Sequence, residues 1–296
     1  MIDRYHLRYF LAVVDTGNFS RAAAACNVSQ PTLSVGIAKL ERGLGRALFH
    51  RTNRRVELTE AGAGLLAHAR AIEAGFAAAE REAAGTVPVR TTRLGVLATT
   101  PRRWIEAFLA RRRTDPGAER VEIVEGSERD LRARLSRGRI DMALTILRDP
   151  AERAAARPLL SEGYSLALGA SHPLAGRGAL TAEDLVHEPM IVRRHCELLS
   201  ETSRFFTARG IRPFFPARTT SDDMALAYVR AGLGITVMPD GFREAGVARV
   251  PLADFAFRRE LGLVFAPHAD ARALGTDPVA DALAEAIPAP GGEPLS

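Results

Sequence analysis

The chain of 296 residues is poor in three residue types, and each shortage narrows what it can be. It has two cysteines, Cys26 and Cys196, too few and too far apart in sequence to build a disulfide framework or a zinc site alone. That usage fits a reducing compartment. It has one tryptophan, Trp104, and one lysine, Lys39; every other basic side chain is arginine. The arginine bias runs through the whole chain and reads first as codon composition, although arginine is also the better bidentate partner for phosphate and guanine. Long apolar runs are missing too. None approaches the length of a membrane span, and Met1-Ile2-Asp3-Arg4-Tyr5 does not begin a signal-peptide segment. A cytoplasmic protein with no membrane contact is expected. The chain has no Gly-x-Gly-x-x-Gly and no phosphate-loop lysine, and Asp222-Asp223 and the scattered histidines lack metal-ligand spacing. The expectation is a protein that is not an enzyme and holds no cofactor or metal.

The composition is otherwise that of a soluble globular protein, 47% hydrophobic and 25% charged, with a formal net charge of +5. The length favours two or three domains over one core. The charge is uneven. Residues 1–60 carry nine basic side chains (Arg4, Arg8, Arg21, Lys39, Arg42, Arg46, Arg51, Arg54, Arg55) against five acidic ones (Asp3, Asp15, Glu41, Glu57, Glu60).

That basic segment has a compact pattern. Leu7, Phe10, Leu11 and Val14 recur at helical spacing up to Gly17. A second helix is predicted from Ser20 to Cys26, with Phe19 as anchor and Ser20 as cap. Asn27-Val28 turns the chain. Ser29 caps a third helix whose first turn holds Pro31, where the missing N–H costs nothing. Leu33, Ile37 and Leu40 form its buried stripe. Two short helices joined by a tight turn are the right size to place one helix in a DNA major groove. On the open face, Gln30 can pair with adenine and Thr32 can pack on a thymine methyl, with Ser34 beside them; each is equally well read as a cap or a solvated polar residue. Ser29, Val35 and Lys39 complete the DNA-facing set. Arg51-Thr52-Asn53-Arg54-Arg55, between Phe49 and Val56-Glu57-Leu58, reads as a hairpin wing whose Arg51, Arg54 and Arg55 lie beside the phosphate backbone or minor groove. Thr59 then caps a helix running to about Ala84, with Leu65, Leu66, Ile72 and Phe76 among alanines. So long a helix with an apolar strip needs a partner, and a second copy is the simplest.

Beyond a hinge at Thr86-Val87-Pro88, strand and helix patterns alternate as in a doubly wound α/β unit. Strands are predicted at 93–97, 120–124 and 141–146, with helices at 101–112 and from the Ser127 cap to Gly138. A second unit starts near Leu159, with strands at 164–168, 190–192, 214–219, 234–237, 247–250 and 261–265 and helices at 197–209 and 222–231. The last helix, 278–287, returns to the first unit, and 288–296 is a frayed tail. The predicted division is 1–60 for the DNA-binding head, 61–86 for the dimerisation helix and hinge, and 87–296 for the body. Within the body, lobe I covers about 87–160 and 267–287, and lobe II about 161–266.

Phe19-Ser20-Arg21-Ala22-Ala23, Ser29-Gln30-Pro31-Thr32-Leu33-Ser34, Leu40-Glu41, Leu44-Gly45, Leu48-Phe49-His50-Arg51 and Leu58-Thr59-Glu60-Ala61-Gly62 resemble the N-terminal head of LysR-type transcriptional regulators. Leu131…Leu135…Gly138…Asp141-Met142-Ala143, His172-Pro173-Leu174-Ala175 and Val229…Gly232-Leu233-Gly234-Ile235…Pro239 extend the resemblance over the body. It implies an α/β protein with an all-helical N-terminal part: a winged helix-turn-helix head, a long linker helix and a two-lobed, type 2 periplasmic-binding-protein-like effector domain. It also implies a small-molecule effector and a homodimer assembling to a homotetramer. Promoter DNA and RNA polymerase would be the remaining partners. One departure stands out. Where the family commonly has a basic or polar residue followed by glutamine, this chain has Val35-Gly36, so relatives do not give its DNA site preference.

In open α/β lobes, ligands sit beyond the C-terminal ends of strands, near helix N-termini. That rule selects Thr99 and Thr100 after the first strand, Ser127, Thr145 in the third strand, Arg194, His195 and Cys196, and Thr219 and Thr220 before the helix at Asp222. Hydroxyls and helix N–H groups suit a carboxylate, hence a small organic acid. Cys196, flanked by Arg193, Arg194 and His195 at a helix start, has neighbours able to lower a thiol pKa. Peroxide-sensing members of the family place a reactive cysteine after a histidine in a comparable segment and a second cysteine about nine residues on; here that position is Phe205. A single-thiol redox sensor, a pocket-lining cysteine and an inert buried one all stay open for Cys196. A solute-binding protein without DNA function is the remaining alternative; it leaves the basic head unexplained.

Overall fold

The computed structural model describes residues 2–51, 56–83, 91–114, 120–266 and 277–287. The wing tip with Arg54 and Arg55, the 86–88 hinge and the 288–296 tail lie outside the described residues.

Three helices build the head: α1 (Arg4–Thr16), α2 (Phe19–Ala25) and α3 (Gln30–Leu44). Each begins where a short polar side chain takes over an orphan N–H. Asp3 accepts from the Tyr5 N–H at 2.7 Å, and the Ser29 hydroxyl from the Thr32 N–H at 3.3 Å. The cap of α2 is Asn18 and not Ser20: its side-chain oxygen accepts from the Ser20 and Arg21 N–H groups at 2.9 and 3.0 Å, so the helix starts at Phe19. Asn27 makes the turn with a φ of +55°, a left-handed conformation that asparagine tolerates. Leu7, Phe10, Leu33, Ile37 and Leu48 are fully buried together, each gaining roughly 1.5–3 kcal/mol from leaving water. β1 (Phe49–Arg51) and β2 (Val56–Leu58) pair antiparallel as the base of the wing. Thr59 caps α4 (Glu60–Ala83), its hydroxyl accepting from the Gly62 N–H at 3.0 Å. Arg4 ties α1 to this helix through Glu73 at 3.0 Å and Glu80 at 2.6 Å.

The first lobe is built on one five-stranded sheet. β3 (Thr91–Leu97) lies between β4 (Arg120–Gly126) and β5 (Met142–Ile146) and is parallel to both. α5 (Arg102–Arg113), α6 (Glu128–Ser136) and the C-terminal helix α10 (Pro278–Ala286) pack into its core with Trp104, Phe108, Leu131 and Leu283. α7 (Pro150–Ala155) leads into β6 (Arg157–Glu162). Neither had been expected, and β6 corrects the point where the second unit begins. It ends at Glu162, with only Gly163 before the next strand, so no turn signal marks the crossing. β12 (Arg259–Phe265) is a second correction. Placed with the second unit by its position in sequence, it instead runs antiparallel between β5 and β6, giving the order β4-β3-β5-β12-β6.

The second lobe pairs β7 (Tyr164–Gly169) with β10 (Thr236–Pro239) and β11 (Val247–Pro251), all antiparallel. β8 (Ile191–Arg193) and β9 (Ala217–Thr219) run parallel and join that sheet through a Met190–Ile235 bridge. β9 is shorter than the expected 214–219, because Pro213 and Pro216 have no N–H to give a ladder. α8 (Leu199–Ala208) and α9 (Asp222–Arg230) cover this sheet. The chain thus crosses between lobes twice, at Gly163 and again on the way from β11 to β12. No described helix is long and apolar enough to cross a membrane.

Candidate DNA interface and effector site

On α3, Gln30, Thr32, Val35 and Lys39 are exposed on the side away from Leu33, Ile37 and Leu40. Ser34 is half-buried. Part of this set is occupied internally: the Ser29 and Thr32 hydroxyls are 2.8 Å apart, and the Gln30 amide donates to the Ser34 hydroxyl at 3.1 Å. Such bonds hold the side chains ready in one arrangement, and a base edge would have to replace them. Val35 is 53% exposed, an apolar patch in the middle of the face. Gly36 follows Val35 in the helix. It is buried, and a Cβ there would lie 2.6 Å from the Tyr9 ring, so the missing side chain is what lets α3 close on α1. Arg51 continues β1 toward the wing tip; its side chain, with Arg54 and Arg55, lies outside the described residues.

In the body, the end of β3 divides the lobe junction into two recesses that share Leu97 and Ala98. One, of about 430 Å³, is lined by Thr99, Ser127, Arg129, Arg132, His195 and Glu197 among others. The other, of about 320 Å³, is lined by Thr100, Arg102, Thr220, Ser221, Asp222 and Asp223 among others. The expected ligand residues are therefore split: Thr99, Ser127 and His195 on one side, Thr100 and Thr220 on the other. Four lie in neither wall. Thr145 is fully buried in β5. Arg194 is turned to solvent, its N–H donating to the Thr219 carbonyl. The Thr219 hydroxyl accepts from the Ser221 N–H at 3.0 Å. Cys196 faces a separate cavity within the second lobe.

Sequence reading missed a chain of buried charges beside these recesses. Arg193, not Arg194, points inward, with Nη2 2.7 Å from Asp222 Oδ2 and Nη1 donating to the Val237 carbonyl. Burial alone would raise the Asp222 pKa; Arg193, helped by His195, overrides it and holds the carboxyl at about 2. His195 Nε2 lies 3.2 Å from Asp222 Oδ1 but off the line of a hydrogen bond. In the larger recess, Glu197 Oε1 accepts from the Tyr164 phenol and from Arg259 Nη1, both at 2.7 Å. Arg259 also donates to the Thr99 hydroxyl at 3.0 Å and pairs with Glu162. Burial works against Glu197 ionising, yet Arg259, the phenol and a backbone N–H leave its pKa lowered. Of the residues lining the two recesses, three carry buried polar atoms without a hydrogen-bond partner: Thr100 at its hydroxyl, His195 at both ring nitrogens and Glu197 at Oε2. The sequence signal for Glu197 is its closeness to Cys196, and Arg193 stands with Arg194 after the same strand. Arg259, remote in the chain, gave none.

The neighbours of Cys196 act otherwise than expected. Burial pushes the thiol pKa up; Arg193 Nη1, 3.5 Å from Sγ, pulls it down by less, and Glu197 adds to the rise.

A winged helix-turn-helix joined by a long helix to a two-lobed α/β body defines a ligand-controlled DNA-binding protein. Residues 5–63 match the family description "Bacterial regulatory helix-turn-helix protein, lysR family", and residues 85–287 match "LysR substrate binding domain". The chain belongs to the LysR family of DNA-binding transcriptional regulators, with an effector-binding domain. It is 39% identical to a probable hydrogen peroxide-inducible genes activator of Mycobacterium avium, over 88% of this chain and 86% of that protein. It is 32% identical to the HTH-type transcriptional regulator AlsR of Bacillus subtilis, over 81% of both. A full-length OxyR variant from Pseudomonas aeruginosa shares the fold at a TM-score of 0.64, 24% identity and coverage of 97% and 95%.

Proposed function

We propose that this regulator is controlled by a small organic acid that also carries a hydroxyl, bound at the lobe junction in the recess between Ser127 and Glu197. The unused hydrogen-bonding capacity of His195 and Glu197 Oε2 is the observation that supports this reading, since buried polar atoms are rarely left unpaired. Ser127 caps the Asp130 N–H of α6; the N–H groups ahead of it and Arg129, which has no carboxylate partner among the described residues, suit the acid group. Arg132 and Arg148 contribute less, because Glu128 and Glu152 already neutralise them. A ligand hydroxyl would donate to Glu197 Oε2. The ligand would then change how the lobes sit and, through α4, the spacing of two heads on a two-fold promoter site. A thermal-shift screen of small hydroxy acids tests this: at least one should raise Tm for the wild type and fail to do so for His195→Ala. No response from any acid would remove the reading.

A second reading has one observation in its favour, the 39% identity to a protein named for induction by peroxide. In it, Cys196 reacts with hydrogen peroxide to give a sulfenic acid and water, without a partner cysteine in the lobe. Burial, which pushes its pKa up, disfavours the thiolate that reacts. Peroxide treatment followed by dimedone labelling decides it: Cys196 should label and its promoter affinity change, whereas Cys196→Ser should be indifferent. Absence of labelling at Cys196 would leave the organic-acid reading alone.

A further inference from the structure

A cavity of about 910 Å³ lies not between the lobes but inside the second one, where α8 roofs β8 and β10. Its walls are mainly apolar, formed by Met190, Val192, Phe206, Ile211 and Phe215. Its volume is in the range of small-molecule sites. Arg212 and Arg218 stand exposed in its lining, and neither has a carboxylate within ion-pair distance among the described residues. Arg204 and Arg209 nearby, by contrast, are paired with Glu201 and Asp254. The Arg218 guanidinium is held 5.5 Å from the Phe215 ring centroid, which fixes its charge at the rim. Half-buried in the same lining are Cys196 and Glu197, and Glu197 also lines the junction recess.

We propose that this cavity is a second ligand site, which takes an amphipathic organic anion with its apolar body inside and its carboxylate or sulfonate between Arg212 and Arg218. Apolar walls reward burial of a hydrocarbon or aromatic body, and the two unpaired guanidiniums at the rim select the sign of the exposed end. An occupant touches Glu197 from the side opposite the junction recess, so the two sites share one wall residue.

The test uses the full-length protein carrying Cys26→Ala, so that Cys196 is the only thiol, and 1-anilinonaphthalene-8-sulfonate as probe. One probe molecule per chain should bind saturably. Arg212→Ala/Arg218→Ala, at two exposed positions, should weaken binding by about tenfold or more with Tm unchanged. Arg204→Ala should have no effect. Bound probe should slow N-ethylmaleimide modification of Cys196, because both occupy the same space. Sodium decanoate should displace the probe, and decyltrimethylammonium of the same chain length should not. Equal binding by the double variant, unchanged modification of Cys196, or displacement by the cation would each overturn the proposal.

Discussion

Arg259 Nη1 lies 2.7 Å from Glu197 Oε1, and this pair links a strand of the first lobe's sheet to the segment that follows β8 in the second. Both side chains are almost fully buried, and Tyr164, Thr99 and Glu162 add hydrogen bonds to the pair while Glu197 Oε2 is left without one. A buried pair adds little over an apolar one, but removing one partner is costly, because the other charge stays behind. Glu162 remains to compensate Arg259, so Glu197→Ala is expected to lose about 3 kcal/mol, the low end for such a change. Urea unfolding measures it: the midpoint should fall with the slope unchanged. A midpoint equal to wild type would show that the pair holds nothing together.

Asp222 makes stability depend on acid. Its folded pKa of about 2 is below that of an unfolded aspartate, so the stability it contributes is full above about pH 4 and disappears as the pH falls toward 2. The shift corresponds to roughly 2–3 kcal/mol. Asp222→Asn should remove that part of the acid-dependent loss and leave the protein weaker at pH 7, where Arg193 would stand uncompensated. Chemical denaturation at pH 7, 4 and 3 separates the two effects. Parallel curves for variant and wild type would contradict the assignment.

Gly36 and Tyr9 give a test in which helix propensity and packing disagree. Alanine is the better helix former by up to ~1 kcal/mol. The Cβ it adds would meet the Tyr9 ring at 2.6 Å, and overpacking of this kind costs about 1–3 kcal/mol. Packing should win, so Gly36→Ala should lower Tm, and adding Tyr9→Leu should recover much of the loss. A more stable Gly36→Ala protein would mean that the two helices do not meet this closely.

On the exposed face of α3, Gln30 and Lys39 allow base reading to be tested apart from phosphate contact. Gln30→Ala should cost about 1–3 kcal/mol on the preferred promoter fragment and little on random duplex. Lys39→Ala should weaken both alike and reduce the salt dependence by about one phosphate contact. Fluorescence anisotropy titrations at several salt concentrations read both. Equal losses on the two duplexes for Gln30→Ala would take the residue out of base recognition.

What could be read from the chain was whatever repeats locally. Ser29, Pro31 and Leu33 mark the start of α3, and the cap at Ser127 marks α6, because each signal lies within one helical turn of its effect. β12 was misplaced because its partners, β5 and β6, lie about a hundred residues upstream and nothing within Arg259–Phe265 names them. The site divides in the same way. Thr99, Ser127 and His195, which the rule that ligands sit at strand ends selects, line one recess together, whereas Arg259 and Asp222 act through partners that folding brings in. Arg193 and Arg194 are the plainest case: identical residues at adjacent positions, one buried and one exposed, decided by the alternation of β8.

α4 leaves two large apolar side chains in water, Ile72 at 38% and Phe76 at 45% exposure, one turn apart on one stripe. Arg4 covers part of Phe76, its guanidinium 4.4 Å from the ring centroid, and is itself held by Glu73 and Glu80. A lone helix of this kind gains by meeting a second copy, which would remove both side chains from water and set two heads side by side. Ile72→Ser/Phe76→Ser should therefore turn a dimer or higher assembly into a monomer in sedimentation velocity, without lowering the stability of the α1–α3 core. Affinity for a two-fold promoter site should fall far more than affinity for a half-site, because the second head would no longer be delivered by the first. If the double variant sediments as the wild type does, the apolar stripe of α4 is not what joins the copies.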